Sequence, residues 1–137
     1  MRYFIIPVLL FVQHIAGCGA TSGVKKEPVE KFAEIKFVSD SIDVGIIEAK
    51  KVATLDYHFS NTGNIPLYIK YAKGACHCVQ PTWPEDSIPP GEKGVINVSF
   101  DPENITGNFI RTLYVVTNSK KDTINLMFYG DIEPKSK

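Results

Sequence analysis

The feature that most constrains this chain is a two-residue alternation of apolar and polar side chains. It recurs in short runs, and turn residues interrupt it about every 8 to 12 positions. The run from Lys51 to Ser60 is the clearest. Ala53, Leu55, Tyr57 and Phe59 fall on one side, and Thr54, Asp56 and His58 on the other. Residues two apart share a face only in an extended strand, so this is a strand with one buried face. Ile96, Val98 and Phe100 repeat the pattern, as do Ile124, Leu126, Phe128 and Ile132. Shorter versions are Ile42, Val44 and Ile46, and Leu67, Ile69 and Tyr71. Glu34 to Val38 is a further short strand. Phe109 to Thr117 is apolar on both faces and reads as a central strand.

The breaks carry turn chemistry. Asn61-Thr62-Gly63-Asn64, Pro90-Gly91-Glu92-Lys93-Gly94 and Asn118 to Asp122 are turns, and Trp83 to Pro90 is Pro-rich and irregular. Lys73 to Pro81 is a loop or a crossing between strands. No stretch shows a 3.6-residue period. The expected fold is all-β: an antiparallel sandwich of about seven to eight strands over residues 34–133, with a polar tail at 134–137. That count and length match an immunoglobulin-like architecture. The cysteine, tryptophan, cysteine spacing of antibody domains is absent.

The first residues follow a different rule. Met1-Arg2 is charged, Tyr3 to Val12 is an apolar run, and Ile15-Ala16-Gly17-Cys18 follows. This is the order of a signal peptide, and the run is shorter than the roughly 20 apolar residues that cross a bilayer. Ile-Ala-Gly-Cys resembles the lipobox of bacterial lipoproteins. That resemblance implies removal of residues 1–17 and lipidation of Cys18, with diacylglycerol on its sulfur. Several acyl chains anchor firmly, at about 0.8 kcal/mol for each buried CH₂. The other reading is a buried strand ending at an incidental cysteine. Residues 18–33 are polar, small and charged, and read as a flexible tether. The expected location is the bacterial cell envelope, outside the cytoplasm, periplasmic or surface-exposed, held to the membrane through Cys18.

Charge excludes one class of partner. Lys plus Arg number 15 and Asp plus Glu number 15, so the chain has no net field to hold a polyanion. No basic stripe with interleaved aromatics is present, and no nucleic-acid partner is expected. Cys18 belongs to the lipid, which leaves Cys76 and Cys78 as an even pair.

Several stretches then resemble one family in their shared order. They are Phe37 to Gly45, Phe59 to Ile69, Ala75-Cys76-His77-Cys78 and Pro89 to Gly94. Val98-Ser99-Phe100, Gly107-Asn108-Phe109, Val115 to Asn118 and Tyr129-Gly130 complete the set. Together they resemble the bacterial domain of unknown function fifteen seventy-three. The resemblance spans about Phe37 to Ile132 and implies an immunoglobulin-like or major-sperm-protein-like sandwich, often on a lipoprotein. The family usually shows Cys-Gly-Cys where this chain has Cys76-His77-Cys78.

That run holds the sharpest chemistry. Two thiols at this spacing can chelate a soft ion, Zn or Cu, with His77 or His58 completing the site. In an oxidising envelope the same sulfurs can join, structurally or for redox work. An ideal Cα separation of about 5.5 Å then requires a local kink. Trp83 either anchors a partner or caps the core. The chain has no G-x-S-x-G, no phosphate loop and no H-E-x-x-H, so no catalytic residue and no cofactor is expected. The leading expectation is a non-enzymatic module binding an envelope protein or glycan through sheet edges and loops. The alternative is a metal-binding or thiol-redox protein. Replacing Cys18 by Ser is expected to move the protein from the membrane fraction to the soluble fraction. Retention of C18S in membranes contradicts the lipobox.

Overall fold

The computed structural model describes residues 27–103 and 105–134. The expected signal peptide at 1–17, the expected lipidation site Cys18, most of the stretch read as a tether and residues 135–137 lie outside them. Eight strands form two sheets. β1 (Ile35–Phe37), β3 (Ala53–Asn61), β6 (Lys93–Phe100) and β5 (Val79–Thr82) make one sheet in that order. β2 (Ser41–Glu48), β8 (Thr123–Glu133), β7 (Gly107–Thr117) and β4 (Ile69–Gly74) make the other.

The alternations of β3, β6 and β8 place their side chains as the sequence predicts. Leu55, Tyr57 and Phe59 are buried, as are Ile96, Val98 and Phe100, and Leu126, Phe128 and Ile132. Phe100 of one sheet meets Phe109 and Phe128 of the other at ring-centroid distances of 4.9 and 5.2 Å. The guanidinium of Arg111 stands 5.8 Å from the Phe100 ring and 5.9 Å from that of Phe109, in cation–π range. A polar tie also joins the sheets: the Tyr57 hydroxyl donates to the Met127 carbonyl at 2.7 Å. Burial, with a smaller push from Asp40, raises the Tyr57 pKa well above its ordinary value, so the hydroxyl remains a donor.

Four sequence readings change. β2 pairs with β8 in parallel, so the sandwich is antiparallel at every other pair of named strands but not at that one. The β2 alternation breaks at a bulge. The Asp43 carboxylate accepts from the Gly45 N–H at 2.8 Å, and Gly45 turns to φ 67°. One extra residue flips the side chains that follow, so Ile46 is 68% exposed and Ile47 packs inward instead. A register shift between Ile69 and Tyr71 does the same in β4: Tyr71 faces solvent and Ala72 is buried. The tether also ends earlier than residue 33. Ala33 is buried and bridges to Ser119, while Phe32 donates to the Asn64 side chain at 2.9 Å.

Asn61 is the buried polar group that fixes one end of the sandwich. It is 0% exposed. Its amide donates to the carbonyls of Ile65 and Ile88, each at 2.9 Å, and its side-chain oxygen accepts from the Gly63 N–H at 2.9 Å. Asn61→Ala leaves these groups unpaired and is expected to destabilise the domain by about 3 kcal/mol. Asn61→Asp, which keeps the shape but loses both donors, is expected to cost at least as much. Urea unfolding of the chain from residue 19 onward measures both. An unchanged midpoint contradicts this role.

Candidate functional site

Two surfaces carry chemistry that the core does not use. The first is the crossing from β4 to β5, where the chain passes from one sheet to the other. Gly74 ends β4 directly against Val79, and a Cβ there would overlap the Val79 backbone and side chain. Ala75 to Cys78 turns within that space. Ala75 N–H donates to Thr112 at 2.9 Å, Val79 N–H to Cys76 at 3.2 Å, and Asp101 N–H to Cys78 at 2.9 Å.

Cys76 and Cys78 are joined as a disulfide with their Cα atoms 5.2 Å apart. An extended strand would hold them about 6.6 Å apart, so the turn supplies the expected kink. His77 is exposed and has no positive φ; among the described non-glycine residues that conformation falls to Lys50 and Glu103. Both sulfur residues are half-buried against the core. As a staple the bond does little. Closing a loop of three residues restricts the unfolded chain by only about 1.5 kcal/mol.

The crossing borders an open cleft of about 510 Å³. Cys76, His77, Gln80, Pro81 and Trp83 line it, and Cys78 does not. Trp83 is half-buried, one part on the core and one part in the cleft. His58 does not join this group. It is exposed on the outer face of β3 and lines a different hollow with Val38 and Lys93. Among the described residues, no three His, Cys, Asp or Glu side chains converge to hold a metal. The joined sulfurs offer no thiolate ligand.

The crossing lies at the end of the sandwich remote from the incoming chain. The Thr62 N–H donates to Glu34 beside the end of β3, whereas Cys78 binds Asp101, next to Phe100, which pairs with Ala53 at the start of β3. The length of β3, nine residues or about 30 Å, separates the two ends.

Residues 35–132 match the family described as protein of unknown function, DUF1573. The chain belongs to this family. None of the curated proteins matches it. Among solved structures, a protein of unknown function from Porphyromonas gingivalis W83 is similar with a TM-score of 0.65 and 11% identity. That match covers 80% of this chain and 51% of the other, so this chain spans about half its length. The ASH/PapD-like domain 7 of human CEP192 is similar with a TM-score of 0.58 and 12% identity, over 82% and 94% of the two chains. Vibrio cholerae VesB protease shares 7% identity at a TM-score of 0.55, over 74% of this chain and 31% of its own. At these identities the likeness is one of fold alone.

The second surface of this DUF1573 domain was not anticipated. Ile110, Tyr114, Met127 and Tyr129 stand on the outer face of β7 and β8, and Tyr71 on that of β4. Ile110 lies directly across from Tyr129 and is 67% exposed. Tyr114 lies across from Lys73, and Tyr71 across from Val116. The signal was in the sequence, since Phe109 to Thr117 is apolar on both faces. That pattern predicts a central strand and does not say whether a second layer covers it. β7 is indeed central in its sheet, but among the described residues no second layer covers its outer face.

Proposed function

We propose that this domain is a lipid-anchored, non-enzymatic binding module of the bacterial envelope, and that it holds a protein partner on the outer face of the β2-β8-β7-β4 sheet. The observation that carries this reading is the exposed group Tyr71, Ile110, Tyr114, Met127 and Tyr129. Monomeric domains rarely leave large apolar side chains contiguous, and tyrosine and methionine are enriched in the centres of protein interfaces. The aliphatic Ile110 and the thioether of Met127 between the tyrosines favour a protein over a glycan. Charge gives the face a direction. Lys70 and Lys73 flank it on the β4 side, and Asp43 and Asp131 on the β2 side. A partner polarised the opposite way is steered into one orientation.

The sheet edges support binding less well than the sequence suggested. β1 has three residues, and β5 has four, including Pro81, which has no N–H to donate. β4 carries two lysines and an irregularity, and β2 a bulge. Each is a device that discourages an added strand. The lipobox at Cys18 supports the anchor.

A photo-crosslinking side chain at position 110 in intact envelopes is expected to yield one discrete protein adduct. Position 54, on the outer face of the opposite sheet, is expected to yield none. Added wild-type domain competes the adduct away, and Ile110→Asp domain does not. Equal labelling from both positions, attachment to polysaccharide alone, or competition by the Ile110→Asp domain contradicts the reading.

A further inference from the structure

We infer that Cys76–Cys78 is a reversible dithiol–disulfide pair that accepts two electrons from a cysteine-bearing polypeptide seated in the adjoining cleft against Trp83. The inference rests on a different surface from the sheet face proposed above, so either can fail alone.

Three observations lead to it. The turn is held by backbone hydrogen bonds to Thr112 and Asp101 and by its own Val79–Cys76 bond, none of which involves sulfur. The reduced turn therefore keeps the scaffold of the oxidised one, and opening the bond requires no refolding. The three-residue ring constrains the unfolded chain less than the longer loops of typical structural disulfides do. Cys76 also lines the cleft, and neither cysteine is fully buried. Disulfides that are exposed are the ones open to exchange. Trp83 borders the same cleft with part of its indole free, an aromatic platform that a polypeptide can cover and a small thiol cannot use fully.

Cys76, the member of the pair that lines the cleft, is the sulfur attacked first. A thiolate of the polypeptide attacks Cys76 Sγ. The Cys76–Cys78 bond breaks, and Cys78 Sγ leaves as a thiolate. A mixed disulfide now joins Cys76 to the polypeptide. A second cysteine of the polypeptide attacks its own sulfur in that bond and releases Cys76. The polypeptide has lost two electrons and two protons to form its disulfide, and Cys76 and Cys78 end as thiols. Each turnover is stoichiometric. The crossing lies at the end of the sandwich remote from residue 33, which presents the pair away from the tether.

The test uses the folded, oxidised protein. A cysteine-containing model peptide and glutathione are compared as reductants, with alkylation and mass spectrometry as the readout. The peptide is expected to react roughly tenfold faster than glutathione, and Trp83→Phe or Trp83→Ala to remove most of that advantage. The glutathione rate itself should not change, which also reports that the variants fold. In Cys78→Ser, with Cys76 first activated as a mixed disulfide with thionitrobenzoate, a one-cysteine peptide is expected to displace thionitrobenzoate and remain as a stable adduct on Cys76, and Cys76→Ser activated the same way at Cys78 should couple far more slowly. The inference is overturned if reduction occurs only at the rate of global unfolding, if the peptide gains nothing over glutathione, or if the two serine variants couple equally.

Discussion

The structure depends on one contact between its two sheets: the Phe100 ring packed on Phe109 and Phe128. Each of these residues comes from a strand whose alternation sends it inward, so the contact forms only if every register is right. The Tyr57 hydroxyl adds direction to this apolar contact by fixing β3 over β8. Aromatic pairs of this kind contribute about 0.5–1.5 kcal/mol beyond their buried area. With the interior filled this way, function is left to the outside of the sheets and to the place where the chain crosses between them.

Most of the fold was legible because alternation is a local signal. β3, β6 and β8 could be read residue by residue, down to the side chains that fill the core. The failures share a cause. A bulge shifts the pattern by one residue without changing the composition, so alternation alone predicts the wrong face for Ile46 and Tyr71. The parallel pairing of β2 with β8 is a long-range choice that no local pattern records. Asn61 looked like any turn asparagine. Its burial follows from two carbonyls, Ile65 and Ile88, that only the folded loops bring to it. Packing begins before residue 34, and the sequence hides this because the residue that packs there, Ala33, is small and sits in a polar stretch.

The candidate sites were legible to different degrees. The sequence singles out Cys76, His77, Cys78 and Trp83; the structure brings Cys76, His77 and Trp83 to one cleft and joins Cys78 to Cys76 beside it. It left metal, redox and structural roles open, and the structure joins the sulfurs and separates His58 from them. The tyrosine face escaped notice because apolar character on both sides of a strand means burial when a second layer exists. The family and the solved structures establish the fold and carry no activity with it. The proposed function therefore rests on side chains: a polarised, tyrosine-rich face and a sulfur pair at the end remote from residue 33.

The most direct measurement of the central claim is hydroxyl-radical footprinting of the full-length protein in intact envelopes against the purified protein. The account predicts that Tyr71, Tyr114, Met127 and Tyr129 are protected in envelopes, while His58, on the outer face of the opposite sheet, is oxidised equally in both. Equal oxidation of the tyrosine face in both preparations, or protection centred on His58, would contradict it.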